Sequence, residues 1–131
     1  MKITAIFFVV TCIFAAFFGC INSEVSQKII ELKEKNNQYE LFNALLDLDQ
    51  KYSDNGEIKY ELGRLLFLSG DFTKAETYFS KAEELINTIN SDTAKYDLYL
   101  HLALLSREKK EYDKTIAYTR KALEFDTKKI D

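Results

Sequence analysis

The sequence predicts an all-α protein, a body of short antiparallel helix pairs behind one apolar N-terminal segment. Three observations predict it. The 131 residues contain no proline and four glycines, which permits long helices and denies a turn-dense β-sandwich its usual turn residues. From Val25 onward, apolar residues recur at helical spacing. Short polar punctuation cuts that pattern into six helices, over 24–36, 38–52, 57–69, 72–87, 92–109 and 112–127. The formal charge of −3 and pI near 5.3 argue against nucleic acid as a partner, because a phosphate-binding surface needs a basic excess. Acidic and basic residues alternate without blocks of like charge, as on a solvated helical surface.

The N-terminal segment comes first. Met1 and Lys2 precede an apolar run from Ile3 to Gly19, followed by Cys20 and the polar Asn22-Ser23-Glu24. Phe7, Phe8, Phe14, Phe17 and Phe18 place half of the ten phenylalanines there. This is the charged, apolar and small-residue order of a secretory signal. Phe17-Phe18-Gly19-Cys20 resembles the lipobox of bacterial lipoproteins, with Phe17 where that family prefers Leu. The resemblance implies a signal peptide over 1–19, a diacylglycerol and palmitate-type acylation at Cys20, and a lipid-anchored linker over 20–23. Stable anchoring needs two or more acyl chains, since each buried methylene contributes only about 0.8 kcal/mol. The alternative is an uncleaved single-span anchor, because Ile3 to Ile21 is long enough to cross a bilayer. Either places the body in the cell envelope, on the outer membrane or the extracytoplasmic face of the cell membrane. The other thiol, Cys12, falls inside the apolar run, so the body has no disulfide, thiolate metal cluster or cysteine nucleophile.

The helices of the body follow in order. Residues 24–55 hold the first two, with Leu41, Leu45 and Leu48 as an apolar stripe and Tyr39 near the start of the second. Asp54 and Asn55 can start the third. Gly70 can take the left-handed conformation that ends it, and Asp71 then caps the fourth. Ser91 and Asp92 serve the fifth in the same way.

A repeat runs through the last four helices. Leu62-Gly63, Leu66, Gly70-Asp71-Phe72, Ala75, Phe79, Ala82 and Leu85 reproduce the spacing that resembles the tetratricopeptide repeat. Small residues there let two helices approach closely, and Leu62, Leu66, Phe72 and Phe79 fill the space between them. One copy spans 56–89. A second, over 96–129, carries Tyr99, Leu102, Ala103, Tyr112, Ala122 and Phe125, with Ser106, Thr115 and Thr119 as weaker fillers and Lys110 in place of a glycine. The copies lie 40 residues apart, Ala82 to Ala122, and the loop from Asn87 to Thr93 absorbs the excess over the usual spacing. Residues 24–55 read as a degenerate third copy or a capping hairpin. The resemblance implies a short right-handed α-solenoid, which needs about three stacked units to close its core.

The resemblance also implies where a partner binds. The first helix of each pair lines the concave face, which selects Tyr60, Glu61, Arg64 and Phe67 in one copy and Leu100, His101, Leu104 and Arg107 in the other. Aromatic, aliphatic and Arg side chains together suit a peptide or helix. Phe67 and Leu104 equally suit the core between stacked pairs. The family groove that clamps a terminal carboxylate uses Lys and Asn, which these positions lack.

No constellation points to catalysis. His101 is the lone histidine, with Asp97 its nearest candidate partner, and one His with one carboxylate makes a poor zinc site. The glycines form no phosphate-binding pattern, and the tyrosines are not interleaved with a basic stripe. The expectation is a non-enzymatic scaffold or assembly factor without cofactor or metal, binding a protein or peptide. A small hydrolase is the remaining alternative, and it requires His101 and a carboxylate to share a pocket.

Overall fold

The turns before the second, third, fourth and fifth helices end in a side chain that caps the next helix, and the turn before the sixth, at Glu111, does not. A computed structural model describes the backbone of residues 2–126, and the side chains of residue 17 and residues 19–126. The helices are α1 (Lys2–Glu34), α2 (Gln38–Lys51), α3 (Gly56–Leu68), α4 (Phe72–Glu84), α5 (Asp92–Glu108) and α6 (Tyr112–Glu124), with a 3₁₀ turn at Ile86–Thr88. No strand occurs among the described residues. Asn37, Asn55, Asp71 and Ser91 cap α2 to α5 by accepting from backbone N–H groups of the first turn. Gly70 is left-handed at φ 86°, and Lys110, in the place of a glycine, is forced to φ 62°.

The helices pair as α1/α2, α3/α4 and α5/α6, and neighbouring pairs stack. Gly63 sets the closeness of α3 to α4. A Cβ there would lie 2.7 Å and 2.8 Å from Cδ1 and Cε1 of Phe79, and 3.3 Å from the Ala75 carbonyl. Leu62, Ala75, Phe79, Ala82, Leu102, Ala103 and Ala122, the other repeat positions, are all buried. Of the expected fillers, Phe72 is half exposed and Tyr112 is also largely exposed. Both begin their helices, and Phe72 meets Phe67 of α3 edge-on.

One core lies between α1, α2 and α3, built from Val25, Ile29, Leu32, Leu41, Leu45, Ile58, Leu62 and Leu65. The other centres on Phe79, Leu98, Tyr99 and Leu102 of the two later pairs. Tyr39 is exposed and fills neither, because it sits one residue past the start of α2 and points to solvent.

Three expectations change. Residues 20–23, read as a linker, are helical within α1. Nothing in them breaks a helix, and Asn22 is tied to the body by the bond that Asn55 Nδ2 donates to its Oδ1 at 3.0 Å. α4 stops at Glu84, short of Asn87, because the Leu85 carbonyl accepts from both the N–H (2.9 Å) and Oγ1 (2.7 Å) of Thr88. The loop from Asn87 is more than slack: Ile89 is buried in the second core, and Gly56 N–H donates to Thr88 Oγ1 at 2.6 Å.

The signal-peptide reading rests mainly on residues whose side chains lie outside the described set. Among the described residues, no helix is long and apolar enough to cross a membrane.

Candidate protein-binding cleft

The eight residues expected in one groove divide between a seam and a cleft. Glu61 lies at the seam of α1 and α3, 3 % exposed, accepting from Lys33 Nζ at 2.7 Å and Arg64 Nε at 2.8 Å. Above it, Ser26 Oγ donates to Glu57 at 2.5 Å and accepts from Asn90 Nδ2 at 3.2 Å. With the Asn55–Asn22 bond, these contacts form a polar ladder that seals α1 onto α3. Tyr60 is buried at the next seam, where its hydroxyl lies 3.5 Å from Asp97 Oδ2 of α5. Tyr60 and Glu61 are therefore interior, and Arg64 is half-buried and held by Glu61. Leu100 is partly buried against the second core. The expected open face is closed along α3 because α1 stacks there as the first helix of a pair.

His101 is wedged between aromatic rings. Its ring centroid is 4.8 Å from that of Phe67, edge-on, and 5.1 Å from that of Phe79. Nδ1 lies 2.7 Å from the Asp97 backbone carbonyl one turn back. The Asp97 carboxylate faces Tyr60 instead, so the pairing a hydrolase would need is not made. No group of three His, Cys, Asp or Glu is placed to hold a metal among the described residues.

The remaining three, Phe67, Leu104 and Arg107, line a cleft of about 520 Å³. Phe72, Thr73 and Glu76 of α4 and Leu105, Glu108 and Lys109 at the end of α5 complete it. Phe67 and Phe72 form its aromatic corner, edge-on with centroids 5.2 Å apart. Leu104 is exposed, and Lys109 donates to both oxygens of Glu76, at 2.6 and 2.5 Å. That hydrogen bond holds the Lys109 ammonium above its ordinary pKa. An apolar floor under a rim of both charges accepts a nonpolar side chain and satisfies polar groups beside it. Glu76 and Lys109 escaped sequence reading because they lie 33 residues apart. Phe67 was not paired with Phe72 from the sequence; the turn at Ser69-Gly70-Asp71 folds one onto the other.

A tetratricopeptide-repeat family model matches residues 56–88 and 96–129, half of the chain. The chain belongs to the tetratricopeptide-repeat family. The first match takes in the α3/α4 pair with the turn at Ile86–Thr88, and the second covers the α5/α6 pair from residue 96 onward. A comparison with curated proteins finds no match. Tetratricopeptide repeats ordinarily mediate binding between proteins and do not catalyse reactions, which agrees with a cleft of mixed polarity beside a histidine occupied by packing.

The buried Tyr60 also makes the fold sensitive to base. Burial, and then the nearby Glu61 and Asp97 carboxylates, push its phenol well above the usual range near 10. The unfolded chain therefore loses this proton first, so stability falls as pH rises past about 10. Tyr60→Phe is expected to flatten that alkaline loss, measured as melting temperature between pH 8 and 11. An unchanged slope would remove Tyr60 as its cause.

Proposed function

We propose that this tetratricopeptide-repeat protein is a lipoprotein that holds a partner polypeptide at a membrane of the bacterial cell envelope, as a scaffold or assembly factor. The observation that carries the binding role is the cleft at Phe67, Phe72 and Leu104, apolar inside and charged at its rim. The anchoring role is supported by the lipobox-like residues and by Cys20, whose thiol is free and exposed. A second reading is an uncleaved single-span anchor on an ancillary subunit of an envelope complex. One observation favours it: α1 runs unbroken from Lys2 through Cys20 to Glu34.

Labelling of growing cells with radioactive palmitate separates the two. The lipoprotein takes up label and loses it in Cys20→Ala; a chain that stays unlabelled yet membrane-bound is the uncleaved form. For the binding role, a photo-crosslinker at position 104 is expected to capture a polypeptide. Phe72→Glu should reduce that capture by about tenfold, as for loss of an apolar anchor. Equal capture by both would disqualify the cleft.

A further inference from the structure

The two ends of the helical stack differ in kind. α1 is tied, just past Cys20, to the turns that precede α3 and α5. Asn55 Nδ2 donates to Asn22 Oδ1 at 3.0 Å, and Asn90 Nδ2 to Ser26 Oγ at 3.2 Å. Residues 52–55 and 85–91 therefore lie at the Cys20 end, and the turns at 35–37, 69–71 and 109–111 form the opposite end. The cleft belongs to that far end. Six residues of α1 lead from Cys20 to Ser26, which meets Glu57, and ten of α3 lead on to Phe67, a helical rise of about 24 Å.

Apolar exposure follows the same division. Nine large apolar side chains are exposed among the described residues, and five of them, Tyr39, Leu68, Phe72, Leu104 and Tyr112, stand at the far turns or within two helical turns of them. Phe17 precedes Cys20, and Ile30, Ile116 and Leu123 lie along helix flanks. None stands in the near turns, where Ser53, Asp54, Asn87 and Asn90 are exposed instead. Tyr39, Phe72 and Tyr112 also hold one equivalent place, the start of the second helix in each of the three pairs. Stacked pairs repeat at helix-packing distance, so this aromatic row has a step of about 10 Å. The cleft is its middle.

An apolar end aimed away from the anchor is out of reach of the bilayer that holds the anchor. Its occupant comes from water. We propose that the far end docks a water-soluble polypeptide laid across the three far turns, with apolar side chains about 10 Å apart to match the row. One enters the cleft between Phe72 and Leu104, and others meet Tyr39 and Tyr112. The rim asks for little charge, because Glu76 and Lys109 already satisfy one another. This rests on the anchored, protein-binding reading above and adds the direction in which the partner is held. It is the same for a lipid at Cys20 and for an uncleaved span, since both leave residue 20 at the membrane.

The test uses the full chain, in vesicles of bacterial phospholipid and in host membranes. In vesicles whose headgroups carry an energy-transfer acceptor, a fluorescent amino acid at position 54 is expected to transfer several-fold more than one at position 108. In cells, a photo-crosslinker at position 39 should capture the same polypeptide as one at position 104, and one at position 54 should not. Without cross-linking, an alkaline carbonate wash should strip that polypeptide from the membranes. Tyr39→Asp, at an exposed position, should lower capture from position 104 by about fivefold. Circular dichroism of the purified variant guards against misfolding. Equal or greater transfer from position 108 would put the apolar end on lipid and overturn the proposal. So would a captured polypeptide that resists the wash, or capture at 104 with none at 39. Loss of capture at 104 itself, or a chain found off the membranes, overturns the anchored binding reading and this one with it.

Discussion

Gly63→Leu is expected to destabilise the protein by about 3 kcal/mol, the upper end for overpacking a core. Even a methyl group at this position would press on the ring of Phe79, 2.7 Å away. That ring cannot retreat. It is fully buried and touches Tyr60, Phe67 and His101, with centroids 6.4, 6.4 and 5.1 Å away. The clash must therefore be relieved by moving α3 from α4, which opens the second core. Gly63→Ala gains up to about 1 kcal/mol of helix propensity and so should cost less. In thermal melts followed by circular dichroism, the leucine variant should fall by about 10 °C, at a few degrees per kcal/mol for a domain of this size. A midpoint equal to that of the parent would mean that α3 and α4 do not meet at Gly63.

Glu61→Lys is the second large effect, expected at about 3–5 kcal/mol, as for breaking a buried ion pair from one side. The Glu61 side chain is 4 % exposed and binds Lys33 and Arg64, so the substitution buries a third cation between two others. The damage should be local. α1 loses its tie to α3, whereas α5 and α6 keep their own core. Hydrogen exchange followed by mass spectrometry should show lost protection over residues 25–34 and retained protection over 98–106. Glu61→Gln keeps the shape and part of the bonding, and should do less. If both variants exchange alike, charge is not what holds the seam.

These two sites differ in how far the sequence revealed them. Gly63 announced itself, because a small residue one helix before Ala75 and Phe79 has a local packing reason within one hairpin. Glu61 did not. Its position in a repeat suggested a groove residue facing a partner, and only the course of α1 made it interior. Tyr60 was displaced from the groove for the same reason, by α5 on the other side. His101 was read as solvent-facing or partner-facing, yet Phe67 and Phe79 hold it between their rings. Phe67, Leu104 and Arg107 do share a cavity, but one at the turn end of α3 and α4, with Glu76 and Lys109 as its far wall.

Sequence alone was sufficient for the order of the last five helices, for caps among Asn55, Asp71 and Ser91, and for the small residues inside the α3/α4 and α5/α6 hairpins. All of these are decided by residues within about one hairpin of each other, where spacing maps directly onto distance. Tertiary structure decided which faces meet between hairpins: Ser26 against Asn90, 64 residues away, and Lys33 against Glu61. Stacking of one pair on the next is set by side chains far apart in the chain. No local period records which of them become walls, and which stay open to a partner.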